Sequence, residues 1–86
     1  MKVEYHRKFI KIFNKLPVKI QSKFYERLRL FGNNPLHSLL DNHSVGAAYP
    51  GFWSINVTGD FRALYERTGV NTITFMKIGT HSELYK

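Results

Sequence analysis

The sequence predicts an α+β fold of the order β-α-α-β-β-β, with a helical hairpin packed on one face of a small, twisted antiparallel sheet. Near the N-terminus, two segments repeat apolar residues with the 3.6-residue period of a helix. The last third holds three runs rich in β-branched and aromatic residues, separated by Gly, Asn and Asp breaks, as in an antiparallel meander. At 86 residues the chain suffices for one core. We therefore expect a single domain over residues 1–86.

The N-terminal part predicts a short strand followed by two helices. Polar and apolar residues alternate over Lys2–Tyr5, which indicates the strand, and the first helix begins at His6. Pro17 opens the second helix, where its missing N–H costs nothing, and Gly32 is a natural stop. Each helix has one apolar stripe, formed by Phe9, Ile12, Phe13 and Leu16 in the first and by Ile20, Phe24, Leu28 and Phe31 in the second. Both stripes must pack on something, and the C-terminal sheet is the available surface.

The rest of the chain predicts a loop region and then the meander. Residues 36–40 suggest a short turn or helical piece, and residues 45–49 suggest a poorly defined edge segment before a break at Pro50 and Gly51. The three strands are expected over residues 51–57, 61–66 and 72–78, and a short turn over residues 82–86 closes the chain.

The net charge of +7 lies entirely in the N-terminal third. Residues 1–29 hold nine basic and two acidic residues, whereas residues 30–86 hold four of each. A basic segment of this kind favours a polyanionic partner, of which nucleic acid is the commonest. The alternative is a solvated helical face whose lysines only confer solubility.

Composition argues against several classes of protein. There is no cysteine, hence no disulfide framework, and no apolar run long enough to cross a membrane. The first residues are too polar for a signal peptide, so we expect a cytoplasmic protein. The glycines do not cluster as in nucleotide-binding loops, and no Glu-x-x-His or His-x-x-x-His spacing occurs. We therefore expect neither a metal site nor a cofactor.

The last third also carries a family resemblance. The pattern W-S-I-x-V-x-G-D-F-R-x-L-Y-E, an apolar strand and the ending I-G-T-H-S-E-L-Y resemble the RelE/StbE family of bacterial toxins, and especially its YafQ-like branch. The resemblance extends over nearly the whole chain in length and element order, with the specific matches in residues 51–85. It implies helices on one side of the sheet, an endoribonuclease that cleaves mRNA on the ribosome, and a cognate antitoxin partner.

Metal-free RNA cleavage needs a base for the 2′-OH, a cation for the phosphate and an acid for the leaving 5′-oxygen. The resemblance places His81, His43, Asp60 and Arg62 in the catalytic site, with the histidines as the acid/base pair. From the residues alone, His81 could instead cap the C-terminal turn, and Asp60 could be an ordinary turn residue. The alternative for Arg62 is an ion pair with Glu66 or Glu83.

Four further residues are expected to contact RNA, namely Asn56, Tyr85, Lys77 and Phe61. Asn56 stands where YafQ-like toxins have a second histidine on the first meander strand, and an amide cannot shuttle a proton near neutral pH. Tyr85 matches an aromatic that stacks on a base, although it could also fold back on the sheet. Phe61 could equally belong to the core.

Two other functions remain open at this point. ParE toxins share the fold and inhibit DNA gyrase without cutting RNA, although they usually lack the Gly-Thr-His block. A basic RNA-binding module with a lapsed site is the third possibility, supported by Asn56.

Overall fold

A computed structural model describes residues 1–85, and its elements follow the predicted order with a few additions. In chain order they are β1 (Lys2–Tyr5), α1 (Arg7–Phe13), α2 (Val18–Asn33), a 3-10 helix (Ser38–Leu40), β2 (His43–Ser44), β3 (Phe52–Asn56), β4 (Phe61–Gly69), β5 (Thr72–Thr80) and α3 (His81–Leu84). Among these described residues, no helix has the length and apolar character needed to span a membrane.

The strands form one five-stranded sheet in the order β1-β5-β4-β3-β2. Strands β2 to β5 pair antiparallel, but β1 lies parallel to β5, with Lys2 opposite Thr72. The predicted fold class is confirmed, whereas a purely antiparallel sheet is wrong at β1. The chain passes through both helices and most of the meander between β1 and β5, and only such a long connection allows parallel pairing.

Helices α1 and α2 form the predicted hairpin and cover one face of the sheet, called here the helix face. Four phenylalanines of the two stripes are buried in this layer, namely Phe9, Phe13, Phe24 and Phe31. The Phe24 ring lies edge-on to Phe75 of β5, with centroids 5.1 Å apart. Each buried phenylalanine contributes roughly 1.5–3 kcal/mol, so this layer is the main source of stability. Ile12 of the predicted stripe is instead 46% exposed, because it borders a surface pocket.

Several element boundaries differ from the sequence prediction, and the clearest differences are at β4, β5 and the end of α2. Strands β4 and β5 have nine residues each, and only Val70 and Asn71 separate them. The predicted break at residues 67–71 is shorter because Arg67 and Gly69 still pair with β5 across a register shift. Helix α2 continues one residue past Gly32. Gly32 does not have the positive, left-handed φ of a glycine that ends a helix. In residues 1–85 the one glycine with a positive φ is Gly51.

The opposite face of the sheet, called here the outer face, is partly covered. Val45, from the segment after β2, and Leu84 of α3 are buried there against Leu64 of β4. Tyr49, Phe52 and Tyr85 pack around this small cluster. The uncovered part of the outer face lies beside β2 and the start of β4, and a cavity opens there.

Candidate functional site

The cavity on the outer face has a volume of about 330 Å³. That volume is at the lower end of the range for small-molecule pockets. Its lining is formed by Asp41, His43, Ser54, Arg62, His81 and Tyr85. Four of the eight residues predicted for the site therefore line it, namely His43, Arg62, His81 and Tyr85. Three separate parts of the chain contribute them, so the site exists only in the folded sheet.

Arg62 is held by the turn that joins β3 to β4. The Thr58 hydroxyl accepts hydrogen bonds from the backbone N–H groups of Asp60 (3.3 Å) and Phe61 (3.0 Å), which closes the turn. Arg62 Nη1 then donates to the carbonyls of Gly59 (3.2 Å) and Thr58 (3.4 Å). No ion pair within residues 1–85 includes Arg62, which leaves the suggested pairs with Glu66 and Glu83 unformed. The rest of the guanidinium fork remains available for an anion.

His81 is positioned by a capping box at the start of α3. The Thr80 hydroxyl accepts from Glu83 N–H at 3.2 Å, and the Glu83 carboxylate accepts from Thr80 N–H at 2.7 Å. The His81 N–H donates to the Asp60 carbonyl at 3.2 Å, which ties α3 to the same turn as Arg62. A side chain at Gly79 would come within 3.2 Å of Glu83, so the glycine lets α3 pack closely on β5. The Gly-Thr-His-Ser-Glu motif thus has a structural purpose that also places His81.

Tyr85 shares the wall of the cavity with His81. The two ring centroids are 4.7 Å apart, as expected for side chains one helical turn apart. Tyr85 also packs against the Val45, Leu64 and Leu84 cluster and meets the Tyr49 ring edge-on at 5.9 Å. The two sequence interpretations of Tyr85 are therefore compatible, because it folds onto the sheet and still borders the cavity.

His43 lines the same cavity as His81 and lies on the edge strand β2. Its Nδ1 lies 2.6 Å from the Asp41 carbonyl oxygen and 3.7 Å from Asp41 Oδ2. Asp41 makes this contact from a left-handed conformation, with φ 45° and ψ 47°. Because a carbonyl oxygen only accepts, Nδ1 must carry the hydrogen in the neutral ring. The Nε2 lone pair of His43 is then free to accept a proton.

A chain of contacts from the core fixes the loop that carries Asp41 and His43. The Tyr65 hydroxyl, on the helix face, donates to Asn42 Oδ1 at 2.8 Å, and Asn42 Nδ2 donates to the Pro35 carbonyl at 3.1 Å. Burial raises the pKa of Tyr65, an effect that the Asn42 hydrogen bond partly offsets. Asn42 thus ties the loop before β2 to the buried Tyr65 and, within the loop region, to the exposed Pro35.

Ser54 and Asp41 line the cavity but were missed from the sequence. Ser54 is only 1% exposed, and among residues 1–85 it is the one polar residue that is buried as a whole. It stands directly opposite His43 on the neighbouring strand. The sequence offered one signal for it, since alternation along β3 puts Ser54 on the same face as Phe52 and Asn56. Asp41 carried no signal, because its contact with His43 depends on an unusual backbone conformation.

Four predicted residues lie outside the cavity lining. Asn56 is opposite Arg62 in the sheet, and its Oδ1 is buried with no hydrogen-bond partner among residues 1–85. Asp60 is exposed and contributes its backbone carbonyl to His81. Phe61 is half-buried against the helix-face core, as its alternative interpretation held. Lys77 lies over the Tyr49 ring, 5.6 Å from its centroid, and lines a neighbouring pocket. Lys77 is therefore not part of the cavity lining, although the Tyr49 ring beneath it meets Tyr85, which is.

The basic surface of the helical hairpin is largely unneutralised. Of the nine basic residues in residues 1–29, two form ion pairs within the described chain, Lys2 with Glu4 and Lys23 with Glu26. Both pairs are exposed, so they contribute little to stability and leave the surface positive. In residues 1–85 no group of three or more His, Asp and Glu side chains is arranged to hold a metal ion.

Comparison with known proteins gives matches among solved structures. No family model and no curated protein matches the chain. YafQ from E. coli strain BL21(DE3) is 26% identical, with a TM-score of 0.79, over 99% of this chain and 98% of its own. A YoeB/ParE toxin from Agrobacterium tumefaciens is 16% identical, with a TM-score of 0.76 over 94% of this chain and 99% of its own. RelE of Methanococcus jannaschii, in a RelB-RelE antitoxin-toxin complex, is 19% identical, with a TM-score of 0.72 over 95% of this chain and 94% of its own.

Proposed function

Because the chain belongs to the RelE/ParE superfamily of type II toxins and is similar to YafQ, we propose that it is an endoribonuclease that cleaves messenger RNA on the ribosome. The observation that carries this proposal is the single cavity that His43, His81 and Arg62 line together. Two imidazoles and a guanidinium are the groups that cleavage by 2′-OH attack requires. A protein that only blocked another protein would not need them in one cavity.

In the proposed reaction, His43 is the general base. Its Nδ1 donates to the Asp41 carbonyl, so its Nε2 lone pair takes the proton of the 2′-OH. The 2′-oxygen attacks the adjacent phosphorus and forms a new P–O bond. The imidazolium that results is stabilised by the Asp41 carboxylate, 3.7 Å from Nδ1.

Arg62 and His81 complete the step. Arg62 stabilises the extra negative charge on the phosphate oxygens, while the turn carbonyls hold its Nη1. His81 donates a proton to the 5′-oxygen as the P–O5′ bond breaks. The products are a 2′,3′-cyclic phosphate and a free 5′-hydroxyl, with one proton taken by His43 and one given by His81. No step in this scheme uses a metal ion or a cofactor.

We also propose a cognate antitoxin, because a free nuclease of this kind would be lethal to its cell. RelE of Methanococcus jannaschii was solved in complex with RelB, its antitoxin. The partner of this chain is expected to be acidic or amphipathic, since it must meet an N-terminal third that carries the whole net charge of +7. Action on translating ribosomes would take place in the cytoplasm.

Mapping of mRNA 5′-ends after induction in cells tests the proposal. We expect in-frame cuts with the wild type and none with His81→Ala. His6→Asn is the matched control, because His6 caps α1 far along the chain from the cavity residues and asparagine is a good N-cap. It should cut like the wild type.

Two other outcomes would contradict the proposal. Growth arrest with intact messages and trapped DNA breaks would instead indicate a ParE-like gyrase inhibitor. Neither arrest nor cuts would indicate a lapsed RNA-binding module, and Asn56→His would then be the first substitution expected to restore cleavage.

A further inference from the structure

The geometry points to Ser54 as an additional substrate-binding residue, whose hydroxyl donates a hydrogen bond to the phosphate held between His43 and His81. The inference rests on the proposed function for the identity of its ligand, the scissile phosphate of RNA. It goes beyond that function by assigning a role to a residue that neither the motif nor acid–base chemistry singled out.

Ser54 lines the cavity although it is only 1% exposed, and no hydrogen bond to its Oγ forms within residues 1–85. In the described chain the fully buried side-chain oxygen without a partner is Asn56 Oδ1, so the Ser54 hydroxyl is not sealed in the core but borders the cavity. A hydroxyl in that position can donate to a group bound in the cavity.

Ser54 is a buried residue in the lining of the cavity. In the sheet it lies between His43 on β2 and Leu64 on β4. Arg62 is diagonal to it, because Arg62 pairs with Asn56 two residues further along β3. A group held by Arg62 and reached by His43 must therefore pass over Ser54.

The chemistry of the cavity suits a phosphate as that group. A serine hydroxyl can donate one hydrogen bond, and a non-bridging phosphate oxygen only accepts. Arg62 supplies donors and positive charge from one side, so Ser54 adds a neutral donor from below. The carboxylate of Asp41 also lines the cavity, but its Oδ2 lies 3.7 Å from His43 Nδ1, which gives it a cationic partner during the reaction. An anion with several acceptor oxygens fits this arrangement.

A simpler explanation is that a small residue is needed at this position because larger ones would not fit. Ser54→Ala and Ser54→Cys separate the two explanations. Alanine is small and has no donor, whereas cysteine is close to serine in shape but is a weak donor. Ser22→Ala is the control, because Ser22 is exposed on α2 and does not line the cavity.

The experiment is an NMR titration with inorganic phosphate, followed by thermal denaturation and mRNA cleavage. We expect phosphate to shift the amide signals around Ser54 and Arg62 of the wild type. In Ser54→Ala and Ser54→Cys, the affinity for phosphate and the cleavage rate should both fall about 10- to 100-fold, as for loss of a hydrogen bond to a charged group. The midpoint of thermal denaturation (Tm) of Ser54→Ala should not fall below that of the wild type. Ser22→Ala should match the wild type in phosphate affinity, Tm and cleavage rate.

The possible results separate this inference from the proposed function. Unchanged phosphate affinity in Ser54→Ala, or no phosphate binding by the wild type, would overturn the role of Ser54. Phosphate binding that depends on Ser54, in a wild type that cuts no mRNA, would support the inference and overturn the proposed function.

Discussion

Removing the hydroxyl of Thr80 tests how the structure positions His81. Helix α3 has four residues, too few to be stable alone, so its capping box and its contacts with the sheet must hold it. Thr80→Ala deletes the acceptor for the Glu83 N–H, now at 3.2 Å. Loss of such a cap costs about 1 kcal/mol, which lowers the Tm of a domain of this size by roughly 4–8 °C.

The same change should lower activity through the position of His81. If the folded form of α3 is destabilised by about 1 kcal/mol, the fraction of molecules with His81 in place falls by up to about fivefold. Leu84 stays buried and Tyr49 still donates to its carbonyl, so the helix is not released completely. Thermal denaturation and mRNA cleavage should be measured together. Thr80→Ser keeps the hydroxyl and should behave like the wild type. A Thr80→Ala variant with an unchanged Tm and an unchanged rate would refute the role of the capping box.

Three further substitutions have defined outcomes. Arg62→Lys should lower kcat about 100-fold or more, because one ammonium cannot bind the turn carbonyls and the phosphate at the same time. Arg67→Lys, on the exposed end of β4, is the control and should leave kcat unchanged. Asp41→Asn should lower the single-turnover rate roughly tenfold without changing the Tm, because it removes the charge near the imidazolium but keeps the backbone carbonyl; an unchanged rate would exclude that role. Burial raises the pKa of Tyr65, so its contribution to stability is complete below about pH 10 and is lost as the pH rises through the folded-state pKa. Alkaline denaturation of Tyr65→Phe should therefore show a shallower fall above pH 10, and an equally steep fall would contradict this.

Much of the fold could be predicted from local pattern. The two helices, the Thr58 turn and the three meander strands follow from residues close together in sequence, and the structure has them, although Ile12 of the first stripe is exposed. The parallel pairing of β1 could not be predicted, because strand direction depends on the path of the whole chain. The lengths of β4 and β5 were also missed, because their pairing continues through residues that favour turns.

The site was predictable only in part, for the same reason. Arg62 and His81 follow recognisable local motifs, and both border the cavity. Ser54 and Asp41 were missed because their importance comes from neighbours distant in sequence or from backbone conformation. Lys77 was expected to contact RNA, and the structure shows only that its ammonium lies over Tyr49, a contact between β5 and a weakly patterned loop. The catalytic and RNA-binding roles of the eight residues remain predictions.

The most direct test of the central claim uses a ribosome-bound message in which sulfur replaces the leaving 5′-oxygen at the cleavage site. Sulfur leaves without protonation, so a variant that lacks only the general acid should cleave this message. We expect His81→Ala to be inactive on the normal message and active on the sulfur-containing one, and His43→Ala to be inactive on both. If His43→Ala cleaved the sulfur-containing message, or if neither variant cleaved it, the assignment of His43 as base and His81 as acid would be contradicted.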